Sequence, residues 1–276
     1  MCDILVVGFK EKDSGKTMLT QALIWYLREK GINVCGFKPR AGNNLWYDYD
    51  VVYETLSKGR LYGKDAKVLR ETSRTSLPEE IINPIHRLWV ENSTYTPMGR
   101  LPGFLVDRVT TSEHAEFLVV VNKLTLEKYL ECKWMIEKLC SNAVEVVKID
   151  KLKELNRIII ESYDKAISLA YRKIKQNHEV VVIESYSNTA LPFNNIKGLK
   201  AVLGVEPWHI YLYSPDKYLT AVKLLTQLRK NTEITTDQIK QLLKPVKEVK
   251  VAPSISIEIV KNLKEKIKDL LINISL

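Results

Sequence analysis

The sequence predicts an α/β fold in which helices flank a doubly wound, mainly parallel sheet. Residues 4–8 (ILVVG) form a continuous apolar run rich in β-branched side chains, which is typical of a strand covered on both faces. Over residues 17–30 apolar side chains recur at helical spacing, and Gly31 follows as the expected helix stop. Strand-like runs then alternate with helical patterns along the chain, and this alternation favours parallel strands joined by crossover helices.

The other predicted elements follow the same alternation. A second strand is expected over residues 33–37, two helical pieces between residues 48 and 74, and a short helix and turn over residues 78–84. Further strands are predicted at residues 104–109, 116–122, 179–184, 209–213 and 248–252. Further helices are predicted at residues 124–139, 152–175, 215–229 and 255–271. The strands at 104–109 and 116–122 are interpreted as an edge hairpin inserted into the parallel sheet.

Length and composition are typical of one globular domain. The 276 residues, 45% hydrophobic and 27% charged, are interpreted as a single domain over residues 1–276, with residues 92–150 as a candidate insertion. No apolar run approaches the roughly 20 residues that span a bilayer, so we expect no membrane partner. The N-terminal residues (MCDILVV) lack the basic opening and cleavage site of a secretory signal, which predicts a cytoplasmic location.

The net charge and the pattern of cysteines and histidines indicate which partners and sites to expect. A formal net charge of +9 favours anionic partners, which include nucleotides, nucleic acids and acidic lipids. The basic residues are interleaved with acidic ones, as on an ordinary solvated surface, so nucleic acid is a minor alternative that stays open. The four cysteines form no Cys-x-x-Cys pair and the four histidines have no metal-ligand spacing, so neither a zinc site nor a redox motif is predicted.

The tripeptide Gly15-Lys16-Thr17 stands between the first predicted strand and the first predicted helix. In that position it predicts a P-loop, whose backbone N–H groups and helix N-terminus surround the phosphates of a nucleotide. The lysine reaches the terminal phosphates and the threonine hydroxyl binds Mg²⁺. The usual spacing places the first glycine at position 10, where this chain has Lys10, so Gly8 takes that role. Nucleotide contacts are predicted from Gly8, Asp13, Ser14, Gly15, Lys16, Thr17 and Met18.

Further motifs occur in an order that resembles the dethiobiotin synthetase group of P-loop proteins. After the P-loop these motifs are residues 36–39 (GFKP), 64–66 (KDA), 80–86 (EIINPIH) and 180–184 (VVVIE). The group belongs to a larger class that also contains cobyrinate amidating enzymes and partitioning ATPases. The resemblance covers most of residues 3–90 and 178–192. It implies a P-loop NTPase fold, ATP as the nucleotide, Mg²⁺ as its metal, and a homodimer.

The resemblance also implies chemical roles for five side chains. Lys16 is the phosphate lysine, and Lys38 is a second lysine that neutralises the charge developing during phosphoryl transfer. Thr17, Asp65 and Glu184 hold Mg²⁺ directly or through water. These roles agree with the chemistry, because phosphoryl transfer depends mainly on positioning and on cationic stabilisation.

Alternatives exist for one of these residues, and two features differ from the group. Asp48 and Asp50 compete with Asp65, since they also follow the second strand. The loop over residues 8–15 is one residue longer than in the group. Residues 185–188 (SYSN) stand where the group has a glycine-rich stretch that approaches the substrate. The bulky Tyr186 argues against the group's diamino-acid substrate.

Three hypotheses for function follow from these residues. The first is an ATP-dependent ligase, kinase or ATPase that acts on a small-molecule substrate. The second is an ATPase switch of the partitioning type that acts through a protein or nucleic-acid partner. In that case Lys10 or Lys12 is the candidate for a lysine that reaches across a dimer. The third is a nucleotide-binding regulator with little catalysis.

Overall fold

The computed structural model describes residues 2–11, 13–90, 99–194, 196–229, 233–253, 256–272 and 274. The chain divides into two compact units. The first unit comprises Met1–Pro39, Val68–Ser76 and Ile174–Leu276, and the second comprises Arg40–Lys67 and Leu77–Lys173. The single domain interpreted from the sequence is therefore built of two units, and the second begins well before the candidate insertion at 92–150, part of which lies outside the described residues. Within the described chain no helix is both long and apolar enough to cross a membrane.

Strands and helices alternate through much of the chain. The strands of the described residues are β1 (Cys2–Gly8), β2 (Val34–Phe37), β3 (Arg40–Asn44), β4 (Ile85–Trp89), β5 (Phe104–Thr110), β6 (Phe117–Asn122), β7 (Glu145–Ile149), β8 (Val180–Glu184), β9 (Leu199–Glu206), β10 (His209–Tyr213) and β11 (Lys247–Lys250). The α-helices are α1 (Lys16–Glu29), α2 (Tyr49–Leu56), α3 (Lys64–Ser73), α4 (Glu79–Ile82), α5 (Lys123–Lys128), α6 (Lys133–Ser141), α7 (Leu152–Ile158), α8 (Asp164–Asn177), α9 (Pro215–Leu228), α10 (Thr236–Leu242) and α11 (Ser256–Leu271). The fold class is α/β, as predicted.

The first unit contains a six-stranded sheet with the order β11-β10-β9-β1-β8-β2. The four strands β9, β1, β8 and β2 run parallel, whereas β10 and β11 add two antiparallel pairs at one side. The central strand β1 has Ile4, Leu5, Val6 and Val7 fully buried, as expected for a strand covered on both faces.

The second unit contains a five-stranded sheet with the order β3-β4-β5-β6-β7. Its outer pairs, β3 with β4 and β6 with β7, are parallel, and its inner pairs are antiparallel. The predicted hairpin exists as β5 and β6, but the prediction that it forms an edge of the parallel sheet was wrong. Both strands are interior in this second sheet, where β4 pairs with β5 and β7 pairs with β6.

The expectation of a mainly parallel sheet was also wrong, because both sheets are mixed. The reason is the length of the connections. Only Pro207 and Trp208 separate β9 from β10, and so short a link joins antiparallel strands. A parallel neighbour needs a crossover of about a dozen residues or more.

Two long predicted helices are interrupted in the structure. The helix expected at 124–139 is divided into α5, a 3₁₀ turn at Leu130–Cys132, and α6. The helix expected at 152–175 continues from α7 to α8 through a π-helical segment at Ile159–Tyr163. In that segment the Tyr163 hydroxyl donates a hydrogen bond of 2.5 Å to Asp107 Oδ2 on β5. A buried partner of this kind is a physical reason for a local change in helix geometry.

Burial of Cys35 on β2 gives a chemical test of the first unit. All four cysteines are free thiols, and Cys35 is fully buried. Burial raises the pKa of the Cys35 thiol to about 12, and a hydrogen bond with Ser73 offsets part of this rise. We expect Cys35 to resist iodoacetamide at pH 8 in the native protein and to react after denaturation, as measured by peptide mass spectrometry. Fast labelling of Cys35 in the native protein would contradict the packing of β2.

Candidate functional site

The candidate site lies at the carboxyl edge of the sheet in the first unit. β1, β8 and β2 run parallel, with Val6 paired to Glu184 and Phe37 paired to Ile183. The loop after Gly8, the last residue of β8, and Lys38 after β2 are therefore all at one edge. Open α/β sheets bind their ligands at this edge.

The loop that follows β1 ends at the N-terminus of α1. Asp13 and Gly15 adopt left-handed backbone conformations, with φ of 53° and 90°. Gly15 caps α1 without a side-chain hydrogen bond, and the first turn of α1 carries no acidic residue. The partial positive charge at this helix end is therefore not offset within its own first turn, which favours an anion there.

Gly8 is in close contact with the far end of the same loop. A Cβ atom on Gly8 would lie 2.2 Å from Ser14 Oγ and 2.8 Å from Lys16 Nζ, both closer than non-bonded atoms approach. The absence of a side chain at Gly8 thus lets the loop close on itself. The assignment of Gly8 as the first glycine of a P-loop, in place of a glycine at position 10, stays a prediction.

The Lys16 ammonium bridges two loops. Lys16 is 8% exposed, and its Nζ donates hydrogen bonds to Ser14 Oγ at 3.1 Å and to the Ser187 carbonyl at 2.7 Å. Ser187 belongs to the segment after β8 and has a φ of 50°. The predicted phosphate lysine therefore joins the loop after β1 to the segment after β8.

Glu184 is the centre of the site. Its side chain is fully buried, and Oε1 accepts hydrogen bonds from Thr17 Oγ1 at 3.0 Å and from Lys38 Nζ at 2.8 Å. The Lys38 ammonium is a charged partner that offsets the desolvation of the carboxylate. The second oxygen, Oε2, is buried without a hydrogen-bond partner among the residues that the structure describes. Since buried polar atoms are normally paired, Oε2 is available to a further donor or cation.

Most of the predicted site residues belong to the first unit. The first unit brings together Gly8, Ser14, Lys16, Thr17, Lys38 and Glu184. Met18 follows on α1 and is half-buried, whereas Asp13 is exposed. Lys10 is exposed, and Lys12 lies outside the described residues.

Asp65, a predicted metal ligand, and its two alternatives Asp48 and Asp50 belong to the second unit. Asp65 is half-buried in the first turn of α3. Asp48 caps the start of α2, where its Oδ2 accepts a hydrogen bond from the Asn44 N–H, and Asp50 lies in the first turn of that helix. Across the described ranges, no three His, Cys, Asp or Glu side chains gather in a group that could hold a metal ion.

Thr236 is a site residue that the sequence analysis missed. It is fully buried at the start of α10, and its hydroxyl donates a hydrogen bond of 2.5 Å to the Gly8 carbonyl. Its backbone N–H donates to the Asn188 carbonyl at 2.8 Å. The pattern T-x-x-Q, from Thr235 to Gln238, signals a helix start. No local pattern connects that start to Gly8, which is 228 positions away.

Comparison with known proteins finds no protein family whose model matches the chain and no curated protein with a similar sequence. The resemblance to the dethiobiotin synthetase group therefore rests on the short motifs described above. The geometry around Glu184 is what a functional proposal depends on.

The pair of Lys38 and Glu184 predicts a measurable coupling. Lys38→Met leaves the buried Glu184 carboxylate without its charged partner, so the free energy of unfolding should fall by about 3–5 kcal/mol. In the double variant Lys38→Met/Glu184→Gln this pair leaves no buried charge, so part of the lost free energy of unfolding should be recovered. Urea denaturation measures the free energy of unfolding of both variants.

A control for this coupling comes from an exposed ion pair of the same unit. Lys264 Nζ lies 2.6 Å from Glu29 Oε1 at the surface, and Lys264→Met should change the free energy of unfolding by less than about 1 kcal/mol. Strictly additive effects of Lys38→Met and Glu184→Gln would contradict the pairing.

Proposed function

We propose that the chain binds Mg²⁺-ATP on the loop from Gly8 to Met18 and transfers or hydrolyses the terminal phosphoryl group. The proposal rests mainly on one observation. The Thr17 hydroxyl and the Lys38 ammonium meet on a single buried oxygen of Glu184, next to the loop that ends at Lys16. A hydroxyl, a carboxylate and two lysines gathered near the start of α1 are suited to binding a metal-bound polyphosphate.

Phosphate binding is supported by the loop and by Lys16. Residues 13–15 precede a 14-residue helix whose N-terminus carries no acid in its first turn. The Ser14 hydroxyl and the Ser187 carbonyl, which accept hydrogen bonds from Lys16, are neutral oxygens. Hydrogen bonds between charged partners are about twice as strong, so a phosphate oxygen competes well for this ammonium.

Thr17 and Glu184 fit a Mg²⁺ ion. Mg²⁺ takes hard oxygen ligands and is commonly held by one or two protein oxygens together with substrate phosphates and water. The buried Oε2 of Glu184 is an oxygen suited to that purpose, directly or through water, and the Thr17 hydroxyl is hydrogen-bonded to the same carboxylate. Bound there, the metal supplies positive charge to the phosphates. A site of this kind needs no cluster of three carboxylates.

Lys38 supplies the second protein cation. Its side chain is 8% exposed and is held at 2.8 Å from Glu184, so its position is fixed before any ligand binds. A preorganised cation near the terminal phosphate stabilises the charge that spreads over the phosphoryl oxygens during transfer. We assign Lys38 this role, as the resemblance to the dethiobiotin synthetase group implies.

The acceptor is proposed to be water or a small molecule other than a diamino acid. Tyr186, two residues after Glu184, is half-buried and stands in the sequence where the group has a glycine-rich segment, so a bulky side chain replaces glycine there. The homodimer implied by the resemblance is part of the same proposal.

Replacement of Lys16 tests the proposal directly. We expect Lys16→Ala to weaken Mg²⁺-ATP binding by at least about tenfold, because a charge-assisted hydrogen bond to phosphate is lost. Phosphate release should fall with it. Calorimetry and a phosphate assay provide the two measurements.

Lys30→Ala is the matched control for Lys16→Ala. Lys30 is exposed at the opposite end of the same helix, about 20 Å away. Lys30→Ala should leave Mg²⁺-ATP affinity and phosphate release unchanged. Equal Mg²⁺-ATP affinity and phosphate release in the two variants would exclude a phosphate role for Lys16.

Gly8 provides a second test. Gly8→Ala should weaken ATP binding because the new methyl group displaces Ser14 Oγ and the Lys16 side chain from the loop. Adding Ser14→Ala removes the atom that lies nearest to the new Cβ, so the double variant should bind ATP more tightly than Gly8→Ala alone. Wild-type affinity in Gly8→Ala would show that the loop does not depend on this close contact.

A further inference from the structure

The turn between β9 and β10 has an unusual composition. Glu206 and His209 are paired, so Pro207 and Trp208 form a two-residue turn. Trp208 has a φ of 75° and its side chain is 60% exposed. Glycine is the usual residue where a turn requires positive φ, and a bulky residue there is strained. Strained residues of this kind cluster at functional sites.

This turn lies at the same edge of the sheet as the proposed phosphate loop. β9 runs parallel to β1, with Val205 paired to Gly8, and the Phe9 N–H donates a hydrogen bond to the Val205 carbonyl at 3.1 Å. The β9–β10 turn begins two residues later, at Pro207. Neighbouring strands are about 4.8 Å apart, so the turn is about 5–10 Å from β1 along the sheet.

The turn and the proposed reaction centre are on opposite sides of β1. Glu184 ends β8 and Lys38 follows β2, and both strands lie on one side of β1 in the sheet order. β9 and β10 lie on the other side. If the terminal phosphate and Mg²⁺ are near Glu184, the nucleoside extends in the opposite direction, over β9 and its turn.

Polar side chains of β9, β10 and α10 near this turn in the chain or sheet are engaged with one another. Glu206 Oε1 accepts hydrogen bonds from Lys240 Nζ at 2.5 Å and from the Tyr211 hydroxyl at 2.6 Å. The same ammonium lies 4.7 Å from the centre of the Tyr211 ring, and that side chain is buried. Of the two aromatic side chains, Trp208 is therefore the one with a large accessible face.

We infer that Trp208 is a stacking platform for the base of the bound nucleotide. The inference rests on the proposed function and extends it from the phosphates to the nucleoside. Stacking on an aromatic side chain accepts every base, because each base has a π face. The platform therefore adds affinity for ATP and discriminates little between ATP and GTP.

Tripolyphosphate separates base binding from phosphate binding, because it has the phosphates but no base. We expect Trp208→Ala to weaken Mg²⁺-ATP binding by about tenfold and to leave Mg²⁺-tripolyphosphate binding unchanged. GTP affinity should fall as ATP affinity does. Trp208→Phe should retain ATP affinity to within about threefold, because it keeps an aromatic face. Calorimetry of each variant with each ligand measures these effects.

Trp46→Ala is the matched control, since Trp46 is 83% exposed but belongs to the second unit. It should leave all affinities unchanged. Trp208→Gly separates folding from binding, because glycine adopts a φ of 75° without strain. This variant should melt at or above the wild-type temperature and still lose ATP affinity.

Several outcomes overturn the inference. Wild-type ATP affinity in Trp208→Ala would show that the base does not use this side chain. Equal losses for ATP and tripolyphosphate would show that the turn supports the phosphate loop instead. If the wild-type chain binds neither ligand, the proposed function itself fails and this inference fails with it.

Discussion

The buried Glu184 carboxylate is the constraint on which the site of the first unit depends. A carboxylate without exposure to water is costly unless cations and donors surround it. Here one oxygen is shared by Lys38 from the end of β2 and Thr17 from the start of α1. The carboxylate therefore fixes two elements relative to β8, and the cation that neutralises it, Lys38, is the one proposed to act in phosphoryl transfer.

Two further contacts connect this centre to the loops around it. Lys16 joins the loop after β1 to the segment after β8 through the Ser187 carbonyl, and Thr236 joins Gly8 to Asn188. Lys16 Nζ has three N–H donors, so a phosphate oxygen can be added to its partners or can replace the Ser187 carbonyl. Ligand binding is then expected to change the contacts of Ser187, while Thr236 still holds Asn188.

The parts of the fold that local patterns could predict are those with a strong local signal. β1 was predicted from its continuous apolar run, and α1 from apolar side chains at helical spacing. β9 was missed although it is apolar, and its Gly204 explains part of this, since glycine weakens a strand signal. In the structure that glycine makes room for Phe9, because a Cβ there would lie 2.5 Å from the ring. β4 (IHRLW) was missed because His86 and Arg87 interrupt its apolar pattern, and the partner of Arg87, Asp107 at 2.6 Å, is 20 residues away.

Titration of Mg²⁺-ATP into the full chain by calorimetry tests the central claim most directly, with a parallel titration of ATP in EDTA. Since Thr17 and Glu184 are proposed to hold the metal, the account predicts saturable binding of one ATP per chain that is tighter with Mg²⁺ than without it. A folded chain that shows no saturable binding, or the same affinity in EDTA, would contradict the assignment of this edge of the sheet as a metal-nucleotide site.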